Sequence, residues 1–264
     1  MKYKIGIIGS SGMVGGSLKK YFQKKENVEL YLYDINGEGS KEQVNKADYV
    51  FIAVPTPTNE SGECQLIALF DAVGRLSGEK VVIVKSTITP GTTQILQEKY
   101  PQHKFLFNPE FLTESTADQD MCYPDRQIVG YTKESFTIAK DIMMLLPLAP
   151  YERIIPASEA EMVKYMGNTW FATKVVFANQ IYDLCQRIGV DYDKVKEACS
   201  ADKRIGVSHL EIFHKGGRGF SGKCLPKDTK ALIGFATNRG INMSILKEVD
   251  KYNEEIRKAY GNGK

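Results

Sequence analysis

The sequence predicts an α/β fold: a doubly wound parallel sheet over residues 1–154, followed by an all-helical domain over residues 155–264 built on one long helix. Three observations carry this expectation. Short apolar runs of strand length alternate with helical patterns through the first half, which implies parallel strands joined by right-handed crossovers. A glycine-rich turn directly follows the first of those runs. The second half opens with an unbroken helical periodicity of about 30 residues, roughly 45 Å at the rise of an α-helix.

Tyr3–Ile8 is the first strand and Met13–Lys25 the helix after it. Val28–Tyr33 (VELYLY) is rich in β-formers and ends at Asp34. Tyr49–Val54 and Lys80–Val84 are nearly continuous apolar runs, as strands covered on both faces require. Leu66–Leu76 has helical spacing between them, and Phe105–Phe107 and Gln127–Tyr131 read as further strands. In the second half Ser158 and Glu161 form an S-x-x-E capping box. Apolar residues then recur from Met162 through Met166, Trp170 and Phe177 to Ile188, and Gly189 supplies the stop. Leu225–Asn238 and Ser244–Tyr260 are two further helices. A helix this long has a wide apolar stripe to cover, either within its own domain or by a second subunit, which points to a homodimer along it.

Composition excludes several classes. Of 264 residues 42% are hydrophobic and 25% charged, which is ordinary globular usage rather than disorder. Lys and Arg number 35 against 32 Asp and Glu, a net charge of +3. That slight balance gives no electrostatic case for nucleic acid or an anionic membrane. No apolar run reaches the length of a membrane span, and the opening MKYKIGIIG enters a strand at once, without a signal-peptide pattern. Five cysteines without a CxxC pair read as reduced thiols of a cytoplasmic protein. The three histidines form no ligand cluster with them, so no metal is expected.

The first functional signal is Gly9-Ser10-Ser11-Gly12-Met13-Val14-Gly15 between strand and helix. Glycines let backbone approach a pyrophosphate, and the helix N-terminus offers free N–H groups. The spacing is GxxGxxG, one residue longer than GxGxxG. Asp34 ends the second strand, where a carboxylate accepts from an adenosine ribose and repels a 2′-phosphate. The first domain is therefore read as Rossmann-type and its cofactor as NAD. Val54, Pro55 and Thr56 follow the third strand, and Ser86 and Thr87 the fourth, at the sheet edge where such ligands sit.

The second signal is Gly216–Asp228. Four glycines make a loop, and a helix starting at Leu225 puts Cys224 at its N-terminus beside Lys223 and Lys227. A dipole end and nearby cations favour the thiolate. Asp228 lies one turn on. Lys164 and Asn168, four apart, share one helix face and can bind an oxygen and its developing charge. Asn108–Glu114 presents two carboxylates, Glu110 and Glu114, as bases acting through water or as helix first-turn acids. Residue chemistry alone leaves a small structural Cys, a solvated Lys and ordinary turn hydroxyls as open alternatives.

These motifs together resemble the UDP-glucose/GDP-mannose dehydrogenase family. VPTPT at 54–58, KST at 85–87, NPEFLTE at 108–114, PDRQIVG at 124–130, EMVKYMGN at 161–168, RIG at 204–206 and GFSGKCLPKD at 219–228 occur in the family's order. The resemblance implies oxidation of a nucleotide sugar at C6 to the carboxylate with two NAD, UDP-glucose being the favoured substrate. It implies that Cys224 forms a thiohemiacetal and then a thioester. Lys164 and Asn168 would hold the C6 oxygen, Asp228 would orient water and Lys164, and Thr87 and Glu110 would position water as base. Glu114 and Lys227 fall on the cofactor side with Ser11, Met13 and Val14. Phe111, Leu112, Thr113, Lys215, Gly219, Phe220, Ser221 and Gly222 would line the substrate path, and Arg204 would reach a neighbouring subunit's substrate. Lys215, Arg218 and Lys223 are additionally expected to bind diphosphate, because a third, nucleotide-covering domain is expected to be absent. Two other readings remain: a two-electron 3-hydroxyacid dehydrogenase, which needs neither Cys224 nor Asp228, and a non-catalytic NAD-binding relative.

Overall fold

The computed structural model describes residues 2–59, 62–214 and 216–260. The chain forms two compact units. The first comprises Met1–Pro57 and Cys64–Lys164, the second Thr58–Glu63 and Tyr165–Lys264. The expected boundary at 154/155 thus precedes the observed one, which falls inside the long helix.

In the first unit β1 (Tyr3–Ile8), α1 (Met13–Gln23), β2 (Val28–Tyr33), α2 (Lys41–Val44), β3 (Tyr49–Ile52), α3 (Ile67–Gly74), β4 (Val81–Val84), α4 (Thr92–Lys99) and β5 (Lys104–Phe107) alternate as expected. They are followed by α5 (Ala117–Cys122), β6 (Arg126–Tyr131), a 3₁₀ turn at Phe136–Ile138, α6 (Ala139–Leu145) and β7 (Tyr151–Pro156). The sheet order is β2-β1-β3-β4-β5-β6-β7. The order reverses between β1 and β3, so the crevice at their C-terminal ends is the topological switch point. The core lies on both faces of the sheet. Val50, Ile52, Val82, Val84, Phe105 and Phe107 fill one side, and Ile5, Ile7, Phe51, Ile83 and Leu106 the other.

Two features depart from the sequence reading. The sheet is not wholly parallel: β6 runs antiparallel to β5, with Phe107 opposite Gly130, and β7 is parallel to β6. The chain between β5 and β6 is taken up by residues 108–116 and the six-residue α5. α5 is tied to α1 by Ser17 and Lys20 on Asp118, in place of a crossover helix running back along the sheet. Strand β7 also lies outside the expected strands, because its short run, Glu152-Arg153 then Ile154-Ile155, sits between Pro150 and Pro156.

The long helix α7 (Ala157–Ile188) begins one turn before Glu161. Ser158 lies within its first turn instead of capping it. The Glu161 carboxylate caps α4, accepting from the Gly91 and Thr93 N–H groups at 2.6 and 2.8 Å and from the Thr93 hydroxyl at 2.6 Å. The start of α7 sits close on β6. A side chain at Gly130 would place its Cβ 2.8 Å from Ala160 Cβ and 2.9 Å from Ala157 Cα.

The second unit contains the rest of α7, then α8 (Tyr192–Ser200), α9 (Leu225–Thr237) and α10 (Ser244–Tyr260). Asp191 caps α8, its side chain accepting from the N–H groups of Asp193 and Lys194. Ala172, Val175, Val176, Phe220 and Val249 form one helical core and Tyr165, Ala231, Leu232 and Leu246 another. Among the described residues no helix is long and apolar enough to cross a membrane.

Candidate functional site

In the first unit β1 delivers its last residues into the glycine turn. Gly9 has φ +86°, and a Cβ there would meet the Ala53 carbonyl oxygen at 2.5 Å. A Cβ on Gly15 would lie 2.1 Å from the Gly9 carbonyl oxygen. Only glycine fits at these two positions. Gly12 is the N-cap of α1 and supplies no side-chain acceptor, so first-turn N–H groups at Met13, Val14 and Gly15 remain for a ligand. The extra residue is absorbed by the carboxylates at the end of β2. Ser11 N–H donates to Asp34 Oδ2 at 3.0 Å, and Ser10 Oγ donates to Glu38 Oε2 at 2.6 Å. Asn36 N–H occupies Asp34 Oδ1 at 3.0 Å. Each Asp34 oxygen keeps a second lone pair, the one a ribose hydroxyl would use. Glu38, also bonded to Lys19, is a second carboxylate at this end that the sequence reading did not single out. A cavity of about 620 Å³ opens here, lined by Ser10, Gly12, Met13, Lys19, Glu114 and Thr116 among others. A backbone-lined turn, an uncapped helix start and a carboxylate at the strand end fit a dinucleotide.

The turns after β3 and β4 are stitched together. Thr56 Oγ donates to the Thr87 carbonyl at 2.6 Å and Ser86 Oγ to the Val54 carbonyl at 2.7 Å. Thr56 and Ser86, expected along the cofactor, are buried and use their hydroxyl protons to fix the loops. Pro55 is exposed, and Val54 and Thr87 are partly so.

The segment after β5 brings Glu110 to Lys164 of α7. Lys164 Nζ donates to Glu110 Oε1 and to the Glu110 carbonyl oxygen, both at 2.7 Å. The two are 5% and 7% exposed. Leu112 N–H donates to Glu110 Oε2 at 2.9 Å. Burial pushes the Glu110 carboxyl up, but the Lys164 ammonium, the Leu112 N–H and the charge of Lys85 outweigh it and hold it below the usual carboxylate range. Two of the three Lys164 protons are engaged, which aims the third. Within the first unit Glu110 is the carboxylate that orients Lys164. Phe111 lies under the Arg126 guanidinium, 3.9 Å from its ring centre. Leu112 packs on the core, and Thr113 N–H is held by Asp120 at 2.8 Å.

In the second unit α9 places Cys224 at its N-cap, solvent-exposed. Pro226 in the first turn removes a donor that would lack an intrahelical partner. One turn on, Asp228 is 1% exposed. It accepts from Asn168 Nδ2 and Lys227 Nζ, each at 2.5 Å. Lys227, expected on the cofactor side, is therefore held on Asp228. Asn168 keeps one amide proton and its carbonyl oxygen.

The glycine-rich loop is anchored by residues the sequence reading passed over. Phe220, expected along the substrate path, has its ring in the helical core, and only its backbone faces other work. That backbone is clamped: Phe220 N–H donates to Asn253 Oδ1 at 2.7 Å, and Asn253 Nδ2 donates to the Phe220 carbonyl at 3.1 Å. Gly219, φ +75°, has no room for a Cβ beside the same Asn253 oxygen. Arg218 is not a diphosphate ligand here. It is 3% exposed, with its guanidinium on Asn179 Oδ1 at 3.0 Å and Asp183 at 2.7 Å. Lys174 holds the Ile205 carbonyl and Ser208. Arg204 is exposed and paired with Asp202. Ser221 is partly exposed, and Gly222 and Lys223 are exposed. Lys215 lies outside the described residues. Asn179 and Asp183, four apart on one face of α7, are the signal that could have revealed the Arg218 anchor.

Sequence models of two domains of the UDP-glucose/GDP-mannose dehydrogenase family match the chain: the NAD binding domain over residues 18–144 and the central domain over residues 158–255. The first match begins past the glycine turn and its extra residue. The UDP-glucose 6-dehydrogenase of Rickettsia bellii is 36% identical over 249 residues, covering 90% of this chain and 56% of that protein. UDP-glucose 6-dehydrogenase TuaD of Bacillus subtilis is 35% identical over 227 residues, 81% of this chain and 48% of that protein. The chain spans about half the length of these curated relatives. A solved UDP-glucose dehydrogenase from the archaeon Pyrobaculum islandicum superposes with a TM-score of 0.85 at 30% identity, over 98% of this chain and 69% of that one. With two domain matches that together take in most of its length and a shared fold over nearly all of it, the chain belongs to the UDP-glucose/GDP-mannose dehydrogenase family, its first unit carrying that family's NAD-binding domain.

Proposed function

We propose that this chain carries out the NAD-dependent oxidation of a nucleotide sugar at C6, from alcohol to carboxylate, with UDP-glucose as the first substrate to test. The observation that supports it best is the exposed Cys224 at the N-terminus of α9, with the buried Asp228–Asn168–Lys227 network one turn behind it. A two-electron alcohol dehydrogenase needs no nucleophile; an enzyme that continues to the acid gains from a covalent intermediate.

Bound in the glycine turn, NAD would supply a hydride acceptor at each of the two oxidation levels. The C6 hydroxyl gives up its proton to water as the hydride leaves, and the free N–H of Lys164 holds the oxygen as it becomes an aldehyde. The Cys224 sulfur then adds to that carbon to give a thiohemiacetal, whose oxygen is stabilised by Lys164 and the remaining amide proton of Asn168. Loss of the second hydride leaves a thioester. Water adds to it, the carbon–sulfur bond breaks, and the thiolate returns as the carboxylic acid leaves. Glu110 is held ionised and is a weak base, so its part, with Thr87, is to position that water and balance the Lys164 charge. Asp34 and the Met13–Gly15 turn bind the dinucleotide. On this reading a second copy covers the exposed apolar residues Met166, Trp170, Phe177 and Leu184 of α7.

The test is stoichiometric. The purified chain is incubated with NAD and UDP-glucose, UDP-N-acetylmannosamine or GDP-mannose in turn, and NADH and sugar acid are quantified. Two NADH per sugar are expected, and Cys224→Ser should form no acid. One NADH per substrate would replace the proposal with alcohol-to-aldehyde chemistry. Binding of NAD without turnover of any sugar would leave a non-catalytic NAD-binding protein.

A further inference from the structure

Lys85 follows β4 directly and is 4% exposed. Its Nζ donates to Asn108 Oδ1 at 2.5 Å and lies 3.5 Å from the Asn108 carbonyl oxygen. Neither acceptor carries a charge. Asn108 cannot turn to suit another partner, because its amide donates to Gln127 Oε1 at 3.0 Å and to the Ile128 carbonyl at 2.7 Å. Gln127 is fixed in turn on the Pro147 carbonyl. A rigid, neutral cradle therefore holds a buried ammonium, an arrangement that costs stability unless a charge nearby compensates.

Burial pushes the Lys85 ammonium down to about 8; the Glu110 carboxylate offsets part of that, and Lys164 on α7 adds to the lowering. Arg126 of β6 stands over Phe111, the residue next to Glu110. Glu110 thus bonds one buried lysine and feels the charge of a second. With Lys164 alone, the pair would be neutral, and the third proton of Lys164 would face a ligand oxygen with little net charge behind it. Below about pH 8, where Lys85 keeps its proton, the second ammonium leaves the cluster one positive charge in excess. In a buried site such a fixed charge acts strongly on a developing oxyanion, since little water is present to screen it.

The geometry points to Lys85 as a positioning residue, whose ammonium holds the Glu110 carboxylate as an anion on Lys164 and leaves the cluster net positive toward a ligand oxygen. Lys85 itself bonds no ligand on this account; it acts through Glu110 and Lys164. The catalytic part of this role rests on the dehydrogenase reading above, while the electrostatic part does not.

The test uses Lys85→Met, Lys85→Gln and Lys85→Arg in the full chain. Gln keeps a donor for Asn108 without the charge, and serves if the Met variant does not fold. The first readout is the titration of the Glu110 carboxyl by ¹³C NMR, assigned with Glu110→Gln. Its midpoint should rise by about one pH unit in the neutral variants and stay at the wild-type position in Lys85→Arg. An unmoved midpoint in the neutral variants overturns the proposal. The second readout is turnover of UDP-glucose with NAD. kcat should fall about 10- to 100-fold in the neutral variants, with KM within about twofold and recovery in Lys85→Arg. An equal loss in all three variants, or a change confined to KM, also overturns it. If wild-type chain turns over no nucleotide sugar, the dehydrogenase reading fails and the carboxyl titration alone decides the role of Lys85.

Discussion

Glu110 and Glu161 are two buried carboxylates of the first unit, and both are bound up with the opening turns of α7. Burial pushes both up. Glu110 is met by the Lys164 ammonium at 2.7 Å and ends below the usual carboxylate range. Glu161 is met by three neutral donors, at Gly91 and Thr93, and still ends at about 7. The difference is that the neutral donors on Glu161 do not offset its desolvation, whereas the Lys164 ammonium, with the Leu112 N–H and the charge of Lys85, does so for Glu110. It also separates roles. Glu110 is kept charged beside a lysine with a proton to offer. Glu161 joins the start of α4 to α7 and titrates near neutrality.

The strongest way to break the comparison is to remove the cation. Lys164→Met leaves Glu110 buried without its partner and should cost about 3–5 kcal/mol of unfolding free energy, read by urea denaturation. A loss under about 1 kcal/mol would mean that the ion pair does not govern Glu110. The next effect is a pH dependence. A carboxyl raised in the folded state stabilises fully below its unfolded value, near 4.5, and that contribution is lost as pH rises through about 7. Wild-type stability should therefore fall by up to about 3 kcal/mol between pH 4.5 and 8, and Glu161→Gln should flatten that slope. Glu110 has the opposite sign: its contribution is present above its unfolded value and disappears only as pH falls below it. A denaturation series across both windows resolves the two groups. The smallest effect sharpens the account of the neutral donors. Thr93→Val removes one hydroxyl from Glu161, should cost about 1 kcal/mol, and should move the flattened region of the pH curve upward.

Much of the first unit was legible because its signals are local. The apolar runs of β1, β3 and β4, the glycine turn and Asp34 all act within a few residues of themselves, as does Cys224 at the start of α9. What the sequence reading missed depends on long-range pairing. Glu161 satisfies a capping pattern with Ser158, yet its carboxylate serves a helix that begins 70 positions earlier in the chain at Gly91. Lys85 looks like part of a strand-end motif, and only the fold shows that it is buried beside a lysine–carboxylate pair. Arg218 reads as a basic loop residue, but Asn179 and Asp183 draw it inside. Asn253 gives no local sign at all, because its partner is the backbone of Phe220. The antiparallel entry of β6 escaped for a related reason: alternation of strand and helix does not report the direction in which a chain re-enters a sheet.

Gly130 has a bearing on all of this. Because that position lacks even a methyl group, the first turns of α7 lie directly on β6, against Ala157 and Ala160. The missing carbon works as a depth stop for the helix. It sets the height at which the next turn, and with it Lys164, stands above the sheet. Enlarging this one position would lift the amine relative to Glu110 by a few tenths of an ångström, altering chemistry through a residue that has no functional group of its own.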